Sequence, residues 1–303
     1  MSKGKNMFKK VCCWFLCLSC CLLLFDTRVS ASESDEEFIP SSKYYTMNEY
    51  QGIIDKISSY ESKFKEQYQI MSVDELNNYS ELLKLKEDMH NYIYSLKELS
   101  VNELEDLNYT DSQITAIKNY DGSEEMTLAA SATVSATLTL YMFYYDSSAN
   151  RTYAGARFSG QWNGVPLQKA TDETGIAIIG SNARFAHHSS TNIITHADGS
   201  EVRNTANKYY SMIGKVYRFG IVNANGNMFQ QFYMLYSGVA DGKVTVIDYA
   251  ATYAHNYEGI SGYGISIGVS GGSSVGGSLG ISFTFDDKTE VMWESINTRT
   301  TYL

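Results

Sequence analysis

The hydrophobic period changes once along this chain, and that change restricts the fold more than any other feature. Between Thr46 and Gly122, apolar residues recur at spacings of three and four, the repeat of a helix face. From Ala130 the repeat shortens to two. Val134, Ala136, Leu138, Leu140 and Met142 alternate with Thr133, Ser135, Thr137, Thr139 and Tyr141, as in a half-buried strand. Charge and glycine turn over at the same place. Residues 32–126 hold 21 acids against 8 lysines, whereas residues 127–303 hold 12 acids, 11 bases and 20 of the 23 glycines. The pattern predicts an α+β chain in two parts, an N-terminal α-helical hairpin followed by an all-β antiparallel sandwich.

Local signals place the helices. Four stretches have the form of a capping box, in which a hydroxyl caps the helix and a side chain three residues on reaches back: Thr46/Glu49, Ser72/Glu75, Ser100/Glu103 and Thr110/Gln113. The first helix is expected from Met47 to Ile70, with Tyr50, Ile53, Ile54, Ile57, Tyr60, Phe64 and Tyr68 on its apolar face. The second is expected from Val73 to Leu99, with Leu76, Tyr79, Leu83, Met89, Tyr92, Ile93 and Leu96 on its own. Joined near Met71–Ser72, they would pack antiparallel. Two shorter helices are expected between Ser100 and Gly122.

The stretch Leu104-x-x-Leu107-Asn108-Tyr109-Thr110-x-x-Gln113-Ile114-x-Ala116-Ile117-Lys118-Asn119-Tyr120-Asp121-Gly122 resembles a segment of uncharacterised exported proteins of Gram-positive bacteria. The resemblance covers some twenty residues. It implies export and a bacterial source, and it brings no activity with it.

The first 31 residues read as a secretory signal peptide: Lys3, Lys5, Lys9 and Lys10, an apolar run from Val11 to Phe25, then Val29-Ser30-Ala31. All five cysteines fall inside this leader, so cleavage after Ala31 would leave a chain without a thiol. The expected organisation is a signal peptide at 1–31, an acidic flexible segment at 32–45, the helical domain at 46–122, a linker at 123–130 and the sandwich at 131–303. Eight to ten strands are expected in the last part, and the runs Tyr209–Val222 and Met228–Ser237 read as one long hairpin around Asn225-Gly226.

Residues 262–286 stand apart. Odd positions carry Tyr263, Ile265, Ile267, Val269, Val275, Leu279, Ile281, Phe283 and Phe285, while even positions are Gly, Ser or Thr up to Asp286. No charge occurs between Glu258 and Asp286. Such a run must fold back on itself. Only a loop with an odd residue count keeps apolar opposite apolar, and a three-residue loop at Gly271-Gly272-Ser273 would pair Val269 with Val275 and Ile265 with Leu279. The two arms have the length and alternation of transmembrane β-strands, and equally those of a half-buried soluble hairpin.

Catalytic signatures are sparse. There is no H-E-x-x-H, G-x-S-x-G or P-loop, and the acid pairs Asp172-Glu173 and Asp286-Asp287 are adjacent, so they point to opposite strand faces. His187, His188, His196 and Asp198 form the one cluster with metal-ligand chemistry; a metal would need a turn at Ser189–Asn192, and a four-residue turn there pairs His188 with Ile193 and His196 with Phe185, so the imidazoles do not converge. Neither cofactor nor enzymatic activity is expected. The acidic balance speaks against nucleic acid as a partner. The aromatic residues Tyr144, Tyr145, Trp162, Tyr209 and Tyr210 are the expected contact surface for a protein or glycan ligand. The reading is a secreted, extracellular binding protein of a Gram-positive bacterium, acting through its sandwich. The alternatives are a membrane-inserting pore former with 262–286 as its stem, and a structural surface or coat component.

Overall fold

The computed structural model describes residues 41–67, 72–169, 171–180, 183–203, 207–211, 214–224, 226–255, 265–270, 280–285 and 296–301. The expected signal peptide lies outside them. The fold is a mixture of helices and antiparallel sheets, and strand predominates.

Strand β1 (Ser41–Asn48) comes first, followed by α1 (Glu49–Gln67), α2 (Val73–Lys97), α3 (Val101–Asp106), α4 (Asp111–Lys118) and α5 (Glu124–Ala130). The caps at Ser72, Ser100 and Thr110 close as reciprocal capping boxes. The pair Thr46/Glu49 does not. Thr46 is drawn into β1, which runs antiparallel to Thr133–Leu140, so Asn48 caps α1 instead, its Oδ1 accepting from the Gln51 amide at 3.0 Å. Ser41–Tyr45, expected in a flexible segment, are therefore strand. The expected linker is also corrected: Ser123 caps α5 by accepting from the Met126 amide, and Glu124 and Glu125 sit in its first turn, where the helix dipole favours them.

The helices share a core of Tyr50, Ile53, Ile57, Met89, Ile93 and Ile117 among others. In α2 the buried stripe is Leu82, Leu85, Met89, Ile93 and Leu96, whereas Leu76 and Leu83 are exposed. Of the stripe expected in the N-terminal half of α2, Tyr79 packs against the core, while Leu82 and Leu85 take the place expected of Leu83.

Twelve further strands follow among the described residues: β2 (Thr133–Asp146), β3 (Arg151–Asn163), β4 (Thr171–Gly180), β5 (Ala186–His196), β6 (Glu201–Arg203), β7 (Asn207–Ser211), β8 (Gly214–Gly220), β9 (Phe229–Asp241), β10 (Val246–Ala254), β11 (Ile265–Ser270), β12 (Gly280–Phe285) and β13 (Ile296–Thr301). Sheet A has the order β1-β2-β3-β9-β5-β6 and sheet B the order β13-β10-β4-β8-β7. Their inner faces meet in one core, where Leu138, Phe158, Phe232 and Tyr236 of sheet A pack against Ile176, Ile178, Tyr217 and Tyr249 of sheet B.

The long hairpin expected over 209–237 does not form. Its tip is correct: Val222 bridges Met228, and the Phe229 amide donates to the Ile221 carbonyl at 2.6 Å. Beyond the tip the two arms part. β8 pairs with β4 and β7 in sheet B, and β9 pairs with β3 and β5 in sheet A. Both arms carry buried side chains, and each gains two partner strands by separating instead of one by staying together.

Candidate functional site

Among the described residues, β11 and β12 pair only with each other, as a two-stranded sheet separate from A and B. Their register is Ile265↔Phe285, Ile267↔Phe283 and Val269↔Ile281. Cross-strand partners share a face, so these six residues lie on one side, and Ser266, Gly268, Ser270, Gly280, Ser282 and Thr284 lie on the other. Apolar opposite apolar is the pairing the alternation demands. The pairing expected from a three-residue loop at 271–273 is corrected: Val269 pairs with Ile281 rather than Val275, and Ile265 with Phe285 rather than Leu279. Tyr263, Val275 and Leu279 lie outside the described residues.

The hairpin rests on the outer face of sheet B, β11 against β4, β7 and β8, and β12 against β4 and β10. Ile281 is 2% exposed and packs among Ala177, Ile179, Val216, Ala250 and Ala254. Alanine at three of these positions leaves a shallow floor on which another sheet layer can sit. Because no strand of the hairpin joins the ladder of sheet B, side-chain packing, rather than interstrand hydrogen bonds, holds it there among the described residues.

The strand that leads toward this hairpin, β10, ends beside a buried polar network that sequence reasoning missed. His255, Asp172 and Glu49 are all fully buried. His255 Nδ1 lies 2.8 Å from Asp172 Oδ1, and its Nε2 lies 3.5 Å from Glu49 Oε1. The Tyr253 hydroxyl donates to the other Asp172 oxygen, and Trp162 Nε1–H donates to the Tyr253 oxygen at 3.0 Å. Glu49 also accepts the Leu167 and Gln168 amides at 3.0 and 3.1 Å. Burial works against a charged imidazole here, but the Asp172 and Glu49 carboxylates outweigh it and hold the His255 pKa at about 10. Burial, and then the Asp172 charge, push the Tyr253 phenol well above its ordinary value. The network ties the first residue of α1 to the start of β4 and the end of β10. The only local sign was Glu49, one of four apparent capping partners; its real partners are more than a hundred residues away.

The expected site residues are dispersed. β5 is one strand from Ala186 to His196, with register shifts at His187/Ser189 and Thr195/His196 but no reversal, so His187 and His196 stand near its opposite ends. His187 Nε2 is 3.1 Å from Ser190 Oγ, His196 is buried with Nδ1 3.4 Å from the Ser200 carbonyl, and Asp198 accepts from Ser200 and Asn227. His188 meets the ring of Tyr153 edge-on. Among the described residues, no three His, Cys, Asp or Glu gather as metal ligands. Asp172 and Glu173 do point to opposite faces, Asp172 to His255 and Glu173 to Arg218 at 2.6 Å. Of the aromatic set, Trp162 is corrected outright: it is 1% exposed and belongs to the core. Tyr144 is exposed and stacks on Tyr153 with centroids 5.1 Å apart, and the Tyr145 hydroxyl donates to Asn150. Tyr209 and Tyr210 lie in β7, paired with Val216 and Lys215.

A cleft of about 560 Å³ opens on the outer face of sheet A, between β1 and β5. Serine, threonine, glutamine and tyrosine line it together with Ala136, Gly160, Ile193 and Phe232, and among the described residues no lysine, arginine, histidine, aspartate or glutamate does. No described helix is long and apolar enough to cross a membrane.

No family model matches this chain, and no curated protein matches it. Among solved structures it is similar to a pore forming protein (10% identity, 56% of this chain and 84% of that one, TM-score 0.26). It is also similar to the KRT10-binding region domain of the pneumococcal serine rich repeat protein PsrP (9% identity, 41% and 78%, TM-score 0.25). A third is a Fap1 fimbrial structure of Streptococcus parasanguinis (13% identity, 56% and 80%, TM-score 0.21). At these TM-scores the likenesses assign no fold and no function.

Proposed function

We propose that this is an exported, non-enzymatic protein that acts on membranes by unfolding the β11–β12 hairpin from sheet B and inserting it into a bilayer. The observation that carries the reading is the hairpin's attachment. It has a ladder of its own, an uncharged sequence, and Ile281 buried against the small-residue floor of sheet B. Leaving that floor breaks no ladder hydrogen bond with sheet B, and lipid can take over the covering of the apolar side.

In the inserted state, continuing the Ser270↔Gly280 register to a three-residue turn centred on Val275 gives two arms of nine residues, 265–273 and 277–285. That is the length at which a tilted strand crosses the hydrocarbon layer. The apolar side faces lipid, and the Ser/Gly/Thr side faces a lumen. A lone hairpin leaves two unpaired edges in hydrocarbon, so insertion requires a closed ring; with a minimum of about eight strands, that means about four copies or more. The helices, taken as the antiparallel hairpin expected from the sequence, are then a scaffold that closes one end of the sandwich, anchored through Glu49.

Dye release from liposomes tests this reading. The chain without its first 31 residues should release entrapped dye and form a detergent-resistant oligomer, and Ile281→Arg should abolish both. Intact liposomes and an unchanged monomer mass would contradict it. A second reading, binding outside the cell through the sandwich, draws support from the uncharged cleft on sheet A.

A further inference from the structure

Among the described residues, neither the shared core nor the β11–β12 hairpin packs on the outer face of sheet A. Strand pairing fixes which residues share it. Thr46, Ser135, Gln161, Gln231 and Thr195 follow one another across β1, β2, β3, β9 and β5 as direct cross-strand partners. The next row is Tyr44, Thr137, Ser159, Tyr233 and Ile193. Both rows line the cleft of about 560 Å³, a volume typical of small-ligand sites.

We infer that this cleft binds a neutral oligosaccharide. Gln161 and Gln231 are exposed and stand side by side in the register, so two primary amides present paired donors and acceptors at one place. Vicinal sugar hydroxyls, each both donor and acceptor, match that arrangement, and the Ser and Thr hydroxyls around it can fill the remaining positions. Tyr44, 80% exposed, and Tyr233 supply the flat apolar surface against which the C–H face of a pyranose stacks. Among the described residues the lining carries no cation and no carboxylate, which disfavours phosphate, sialic acid and charged peptides, held as these are by charge-assisted bonds.

The same face continues past the cleft as an aromatic track. Gly155 in β3 has the Tyr141 ring directly over it: a Cβ added there would lie 2.6 Å from that ring. Beyond it Tyr144 stacks on Tyr153, at an interplanar angle of 15°. From Thr137 to Tyr144 the strand covers roughly 23 Å at ~3.3 Å per residue, enough for several sugar units in a row. Arg157 lies between the cleft and the track and is the place where a charged sugar would be tolerated.

The proposal is independent of membrane insertion and is tested without it. The chain lacking residues 1–31 is applied to an array of neutral, sialylated and sulfated oligosaccharides, and the strongest neutral binder is titrated by calorimetry. The expected result is retention of neutral glycans, with affinity lowered at least tenfold in the double variant Gln161→Ala/Gln231→Ala and in Thr137→Arg, which fills the cleft from a solvent-facing position. Both variants should melt within a few degrees of the parent. Ile281→Arg should bind glycan normally even where it fails to release dye, so failure of one proposal is distinguishable from failure of the other. Retention of charged glycans alone, of none, or of neutral glycans with undiminished affinity in both variants would overturn the inference.

Discussion

His255 Nδ1 lies 2.8 Å from Asp172 Oδ1, and neither side chain has any exposed surface. With Glu49 on the other side, the imidazole is a buried cation between two carboxylates, and it joins α1, β4 and β10. Replacing His255 with Gln leaves both carboxylates without their cation, a change that typically costs about 3–5 kcal/mol. Chemical denaturation of His255→Gln against the parent chain checks this at pH 7.

The same pair dictates a pH dependence. The folded pKa of His255, about 10, lies above its ordinary value of 6.5, so the folded state holds a proton that the unfolded state releases between those values. The stabilisation is complete below about pH 6.5 and is lost as pH rises through 10. Denaturant midpoints should fall steadily from pH 6.5 to 9.5 in the parent, and the slope should flatten in His255→Gln.

Trp162 and Tyr253 are coupled by the indole N–H, which donates to the phenol that in turn donates to Asp172. Trp162→Phe removes that donor and leaves a small cavity, for a loss of about 2–4 kcal/mol. Thermal melting reads it. A loss below 1 kcal/mol would mean that the chain of hydrogen bonds is not a stabilising unit.

At the start of α1 the cap is Asn48 rather than Thr46. Asn48→Ala should therefore cost about 1 kcal/mol, while Thr46→Val, on the outer face of β1, should be close to neutral. Equilibrium unfolding of the two variants separates these assignments.

What was legible in the sequence was what short stretches decide. Ser72, Ser100 and Thr110 cap their helices because the partner is three residues away. The 221–229 tip was recognisable because its turn is local. Where a distant strand competes, local reading fails. β2 takes Thr46 away from the helix, β3 and β5 take β9 away from β8, and Glu49 meets His255 across most of the chain. In the stretch 262–286, alternation revealed which residues share a face but not where the chain reverses, because every register shifted by two satisfies the same pattern. The outer face of sheet A went unread for a related reason: Gln161 and Gln231 become neighbours only through the pairing of β3 with β9.

Fixing the hairpin in place should block its action. The mature chain expected from the sequence has no cysteine, so a pair introduced at Val216 and Ile281, which belong to one packed cluster, is the only thiol pair present. Oxidised Val216→Cys/Ile281→Cys should release little dye, and reductant should restore release. Equal release in both states would show that the hairpin need not leave sheet B.

The most direct measurement is a scan of single cysteines across 280–285, each labelled with a polarity-sensitive fluorophore and followed as liposomes are added. Insertion predicts an alternating response: labels at Ile281, Phe283 and Phe285 move to an apolar environment and are quenched by lipid-borne quencher, while labels at Gly280, Ser282 and Thr284 stay in water. A flat profile, or labels that do not respond to lipid at any position, would contradict the account.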